Sequence, residues 1–396
     1  MINIRLGAIF LLLLLMRLPI VGFGQEKQFP LATPESQQVS QGAIDRLRDL
    51  VSGFVDAQEI VGAEILVIKN RHTIMHESFG GDAPSVDSKM PLNSIFSIRS
   101  MTKPLAGATA QILLDEGVIS LEDSVAKYLE SFAKEKSREV TVEHLLTHRS
   151  GLPMKSAGRL WSDYSSYENI QQVAEYWGDY GPRLFKPGTR YQYADANVDT
   201  LAALIEKASG EKAEALIVQR LLIPLGMSDT LSLLREGDPR VKRVVGKNAG
   251  GRGRWKQFWQ WDGRPYFSFP MFAQGFYSTP RDYARFLEMI LDGGVVDGKR
   301  ILSSAAIDRI LTPASRTTMP TGFANLNSSY GQLMHLYDQQ GDVVAFGHSG
   351  SDGTYAWAWP KQDLMVLYFT QSRGGTTMNR IEAVIDSLLA RPVTNE

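Results

Sequence analysis

A serine followed three residues later by a lysine can carry covalent catalysis, and Ser100-Met101-Thr102-Lys103 opens a helical run that stops at Gly117. Residues three apart share a helix face, so the lysine amine reaches the serine hydroxyl. A helix start also offers free N–H groups and a positive dipole end, both of which favour a developing oxyanion. Pro104 fits the first turn, where a missing N–H costs little. The spacing alone is weak, because about two matches are expected by chance in a chain of this length. Four occur, at Ser100/Lys103, Ser124/Lys127, Ser131/Lys134 and Ser209/Lys212. Only the first begins a long apolar helix directly after an extended segment, Ser94-Ile95-Phe96-Ser97-Ile98.

To take the serine proton the amine must be neutral, yet a free lysine has a pKa near ~10.4. Burial or a neighbouring cation must depress it. Tyr193, in Tyr191-Gln192-Tyr193-Ala194-Asp195 after the turn Lys186-Pro187-Gly188-Thr189, can share that proton. Taken alone it reads as a buried tyrosine. Gly347-His348-Ser349-Gly350-Ser351, ahead of the strand Thr354 to Trp359, could offer a cation and an exposed N–H to a substrate carbonyl or carboxylate. Taken alone it is a turn. Thiol chemistry is excluded, since the chain has no cysteine and so no disulfide, thiolate nucleophile, Cys-ligated zinc or Cys-anchored lipid.

The elements that must position these groups follow from the apolar pattern. Gly42 to Ala57 places Ile44, Leu47, Leu50, Val51 and Val55 at helical spacing. Ala63 to Ile68 and Thr73 to Ser78 form a hairpin across Lys69-Asn70-Arg71, and Tyr355 to Trp359 with Leu364 to Thr370 repeat the pattern. Helical runs lie at Lys103 to Glu116, Val142 to Thr147, Val198 to Lys207, Ala213 to Leu222 and Pro280 to Leu291, and Arg380 to Leu389 closes the chain. The expected class is α/β (α+β): an antiparallel sheet flanked by terminal helices. The α/β lobe takes about residues 40–95 and 300–396, and a mostly helical lobe of about residues 96–299 is inserted, with the site at the seam.

Composition agrees with a soluble globular chain of 396 residues, 43% hydrophobic and 21% charged. Lys and Arg (42) nearly balance Asp and Glu (43), so no global field draws the protein to nucleic acid. Residues 1–24 read as a secretory signal: Arg5, an apolar run from Leu6 to Met16, then Gly22-Phe23-Gly24. Its removal would leave residues 25–396 with a formal charge of −3 instead of −1. The expected location is periplasmic or secreted, without stable membrane insertion after cleavage. Gly246 to Trp261 interleaves Arg252, Arg254 and Lys256 with Trp255, Phe258, Trp259 and Trp261. It reads as a glycine-rich surface loop lining a cleft and not as a single-strand platform.

Taken together, the three elements make the chain resemble the serine β-lactamase-like family, in the branch of class C β-lactamases, D,D-peptidases and family VIII-type esterases. The motif Ser-x-x-Lys is its signature. The matching stretches are Phe96 to Pro104, Asp115 to Leu129, Val140 to Pro153, Phe185 to Tyr193, Pro224 to Asp229, Gly275 to Gly294 and Gly347 to Gln371. The resemblance implies a β-lactamase/penicillin-binding-protein-like fold, Ser100 as the acylated nucleophile, Lys103 as its proton acceptor and Tyr193 as the base that passes the proton on. It implies an oxyanion hole from the N–H groups of Ser100 and Ser351 beside Gly350, and His348 where the family often has Lys. Tyr193-Ala194-Asp195 departs from the commoner Tyr-x-Asn: Asp195 accepts where an amide would donate, and Asn197 could partly substitute. A neutral His348 also weakens the charge that suits a β-lactam or peptide carboxylate.

Other chemistries fit less well. Gly347-His348-Ser349-Gly350-Ser351 misses the Gly-x-Ser-x-Gly elbow at its last residue. His144 and His148 have zinc-like spacing, but Glu143 falls outside the His-Glu-x-x-His pattern. The expectation is a serine hydrolase needing no metal or cofactor, acting on a small-molecule ester, amide or peptide, with a carboxylic ester first. A D-amino-acid peptidase, D,D-carboxypeptidase or β-lactamase is the alternative, and a non-catalytic ligand-binding member of the fold is the third reading.

Overall fold

The computed structural model describes residues 29–85, 88–154, 167–317, 323, 325–373 and 377–388. The leader read in residues 1–24 lies outside them. Helix α1 (Gln41–Asp56) starts where Ser40 Oγ accepts the Ala43 N–H at 3.2 Å, satisfying a donor that the first turn cannot. It buries Ile44, Leu47, Val51 and Phe54, while Leu50 and Val55 pack at the edge of that stripe. Strands β1 (Gly62–Lys69) and β2 (His72–Gly80) follow as an antiparallel hairpin. Asn70 and Arg71 both take positive φ, at 48° and 60°. Such a turn matches the twist of the strands it joins.

The main sheet has eight strands. Their order is β2, β1, Leu364–Thr370, Thr354–Trp359, Asp342–Gly350, His335–Gln339, Asn327–Tyr330 and Ser315–Arg316, all antiparallel. β1 therefore pairs with a strand from the far end of the chain, with Ala63 opposite Thr370 and Lys69 opposite Leu364. Alternation assigns the faces. Ile65 and Val67 pack with α1 and with Ile381 and Ile385 of the helix Thr377–Leu388. Leu66 and Ile68 face a larger core that includes Tyr283, Phe286 and Leu287 of the helix Pro280–Leu291.

Most helices come from residues between β2 and residue 315. Among them α2 (Thr102–Asp115) is central, with every residue from Thr102 to Leu113 buried. The helix expected from Val198 begins earlier, at Asp195, because Ala194 at its cap has no side chain to announce the start. The run 213–222 is an α-helix only over Ala213–Ile217 and continues as a π-turn over Val218–Leu222.

Two expectations need correction. Gly347 to Gly350 is the end of the strand Asp342–Gly350 and not a turn; the chain reverses only after it, where the Gly353 N–H reaches Gly350 O at 2.9 Å. Gly246 to Trp261 is not simply a loop. Lys247–Ala249 and Lys256–Trp259 pair as strands, and Ser372–Arg373 adds a third. Glycines and cations suggested a loop, but Lys247 and Asn248 are buried.

The α1 face is a packing requirement with a measurable size. Leu47→Ala removes a fully buried side chain from α1 and should cost about 2–5 kcal/mol of stability. Denaturant unfolding checks this, and a loss below about 1 kcal/mol would mean that α1 stands outside the cooperative core.

Candidate active site

Ser100 lies in the tight turn Arg99–Met101, which feeds directly into α2. The extended segment before it is fixed by pairing of Phe96–Ser97 with Tyr277–Ser278 and by the Ile98 N–H on Phe276 O at 3.0 Å. Tyr283 Oη donates to Met101 O at 2.9 Å, so the turn is held from both sides.

In the first turn of α2, fully buried Lys103 points its amine at three acceptors. Nζ lies 3.1 Å from Ser100 Oγ, 2.7 Å from Asp195 Oδ1 and 2.8 Å from Ala273 O. An ammonium has three protons, and each finds a partner. Burial pulls the Lys103 pKa down, but the Asp195 carboxylate and Tyr193 outweigh it and raise it above that of an ordinary lysine. This overturns the expected depressed amine. Asp195, read from the sequence as a substrate contact, is the ion-pair partner of Lys103. Its position in the first turn of the helix Asp195–Ser209 suits a carboxylate.

Tyr193 closes the constellation from above the amine, its ring centroid 4.7 Å from Lys103 Nζ. Burial raises the pKa of its hydroxyl. The Lys103 charge opposes that rise without cancelling it. The segment carrying Tyr193 is clamped by His148, a residue with φ of 54°. His148 O accepts the Gln192 N–H at 2.9 Å, and its Nδ1 accepts the Ala194 N–H at 3.3 Å and Asn197 Nδ2 at 2.9 Å. Asn197 is thus committed to the interior, with Ser150 Oγ donating to its Oδ1. It is fully buried and offers no amide to a substrate, which corrects the sequence expectation. The two zinc-spaced histidines serve the backbone separately: His144 Nδ1 accepts the Thr141 N–H at a helix start.

His348 points its ring toward the same cluster, its centroid 6.2 Å from that of Tyr193. Ser349 O can only accept, so Nδ1 carries the proton at 2.8 Å, and Nε2 accepts from Tyr330 Oη at 3.0 Å. Burial, followed by the Lys103 charge, holds its pKa well below that of a free histidine. The ring is therefore neutral. Gly350 ends the strand against the Ser100 turn: a Cβ there would lie 2.3 Å from Thr354 Oγ1 and 2.5 Å from Ile98 O. Only glycine permits that approach. Ser351 follows it as an exposed residue in a turn whose next two residues, Asp352 and Gly353, are buried.

The family model for the beta-lactamases matches residues 47–390, and the chain belongs to that family, one of serine hydrolases that includes esterases and peptidases. Protein Rv1367c of Mycobacterium tuberculosis is 26% identical over 355 residues, covering 80% of this chain and 87% of the relative. Esterase EstB of Burkholderia gladioli is 28% identical over 190 residues, covering 43% and 47%. Among solved structures, EstCE1, a hydrolase with promiscuous acyltransferase activity, superposes with a TM-score of 0.75 at 17% identity, covering 90% of this chain and all of that one. The fold is the β-lactamase/penicillin-binding-protein-like one.

Sequence reasoning missed Asp199, Tyr330 and the clamping role of His148. Asp199 could have been found as a lone acid within the apolar run Val198 to Ile205, one turn after Asp195. Its Oδ1 accepts the Ala273 N–H at 3.0 Å, so it anchors from the N–H side the residue whose carbonyl receives Lys103. Burial, with Asp195 nearby, raises its pKa to about 7. The folded state then binds an extra proton between the usual carboxylate range and pH 7, and stability falls as pH rises across that window. Asp199→Asn keeps an acceptor and does not titrate. It should raise the thermal unfolding midpoint more at pH 8 than at pH 5; an equal change at both would exclude a buried titrating Asp199.

Proposed function

We propose that the chain hydrolyses a carboxylic ester through an acyl-enzyme on Ser100. The observation that carries this reading is the placement of Lys103 Nζ 3.1 Å from Ser100 Oγ with the Tyr193 ring 4.7 Å from the same amine. Since Lys103 holds its proton, the proposed acceptor of the serine proton is the Tyr193 phenolate, a minor species that the adjacent ammonium favours. Ser100 Oγ attacks the ester carbonyl carbon, and the N–H groups of Ser100 and Ser351 receive the oxyanion. Tyr193 gives its new proton to the departing alkoxide. Water then attacks the acyl carbon, Tyr193 takes its proton, and Ser100 leaves with a proton returned. This revises the simpler expectation that Lys103 itself accepts the serine proton.

An ester is preferred over a D-amino-acid peptide or β-lactam because His348 is neutral and spends both ring nitrogens inside the protein. It supplies no cation for a substrate carboxylate. Proposed with the ester reading is a periplasmic or secreted location, from the charge and apolar pattern of residues 1–24.

A serine-directed fluorophosphonate should label wild type at Ser100 and leave Ser100→Ala unlabelled. Aryl esters should turn over faster than a chromogenic cephalosporin or a D-Ala-D-Ala peptide; no turnover and no labelling would favour a ligand-binding role. Lys103→Ala and Tyr193→Phe should each slow acylation by about two to four decades. Asp195→Asn removes the charge that opposes burial, so Lys103 should lose its proton at lower pH. The alkaline limb of kcat/KM should move down in pH accordingly, and an unmoved limb would reject the role given to this ion pair.

A further inference from the structure

The residue before the nucleophile is a buried arginine with φ of 45°, a conformation that non-glycine residues rarely hold unless something fixes it. Arg99 Nε donates to Asp352 Oδ2 at 2.6 Å. The same oxygen accepts Lys247 Nζ at 2.9 Å, and Lys247 also donates to Ser97 Oγ at 2.5 Å. The three charged side chains are each only 1% exposed. Both cations also lie over the Tyr266 ring, 4.9 Å from Arg99 Cζ and 4.7 Å from Lys247 Nζ.

The sequence positions of this cluster are what give it meaning. Arg99 directly precedes Ser100, and Asp352 directly follows Ser351, inside the turn closed by the Gly353 N–H on Gly350 O. One carboxylate therefore joins the turn that carries the nucleophile to the turn that carries the second N–H of the proposed oxyanion hole. A buried ion pair is a poor way to gain stability alone, because desolvation offsets most of its attraction. It is a good way to fix a distance, since its hydrogen bonds are short and directional. Lys247 adds a second charge, but burial, opposed by Asp352, pushes its pKa down to about 7, so the cluster sheds that proton near neutrality.

We propose that Arg99 and Asp352 are positioning residues, whose ion pair sets the separation between the Ser100 turn and the Ser351 turn and thereby the shape of the oxyanion hole. The inference rests on the acyl-enzyme reading above. A misplacement of about 1 Å at such a site costs on the order of 100-fold in rate.

The test uses the full chain with Arg99→Lys, Asp352→Asn and the double variant. Active sites are counted by fluorophosphonate labelling to completion, and aryl-ester kcat and KM are measured per labelled site. Each folded single variant should lose about 10- to 100-fold in kcat, with KM changed less than about threefold, and the double should lose no more than the worse single. A merely structural role would lower the unfolding midpoint and the labelled fraction while kcat per labelled site stayed at the wild-type value. That result in either single variant overturns the proposal. Where Asp352→Asn does not fold, Arg99→Lys decides, since it keeps the charge and shortens only the reach. Failure of wild type to label at Ser100 would instead overturn the acyl-enzyme reading, and this inference with it.

Discussion

The ammonium of Lys103 is the constraint around which the site is built. A buried charge survives only where its protons are matched by acceptors, and the three acceptors come from three separate parts of the chain: Ser100, Asp195 and Ala273. Satisfying one cation therefore docks the start of α2, the helix that opens at Asp195, and the segment ahead of the helix Pro280–Leu291. Asp199 and His148 act one step further out. The first holds the Ala273 N–H, and the second holds the chain on either side of Tyr193.

That arrangement also divides labour among groups that look alike in sequence. Of two acids one turn apart on the same helix, Asp195 meets a cation and Asp199 a backbone N–H. Of two histidines near Tyr193, both are neutral, yet His148 accepts through Nδ1 and His348 through Nε2. Environment, not residue type, assigns each role.

Much of this was legible in the chain before folding. Periodicity gave both hairpins and the helix Pro280–Leu291 at their observed positions, because amphipathic stripes and turn residues are local signals. The pairing of Ser100 with Lys103 was readable for the same reason. Partners distant in sequence were not. Nothing local to Asp195 says that it meets Lys103, and nothing near Asn197 says that it turns inward to His148. The strand character of Gly347 to Gly350 was masked by two glycines, which are there because Gly347 and Gly350 each lie against neighbouring backbone too closely for a Cβ.

The pairing of β1 with Leu364–Thr370 has a consequence for how the molecule comes into being. Synthesis delivers β1 early, but the neighbour on its inner side is among the last strands to emerge. Until then the hairpin has one edge unsatisfied, and the loop to be closed is nearly the whole chain, which slows assembly. The turn at Gly350–Gly353 lies on the late side of that closure. A polypeptide stopped short of residue 364 would hold Ser100 and Lys103 but have no central strand to complete the sheet beside them, so the frame around these two residues is finished only when the chain nearly is.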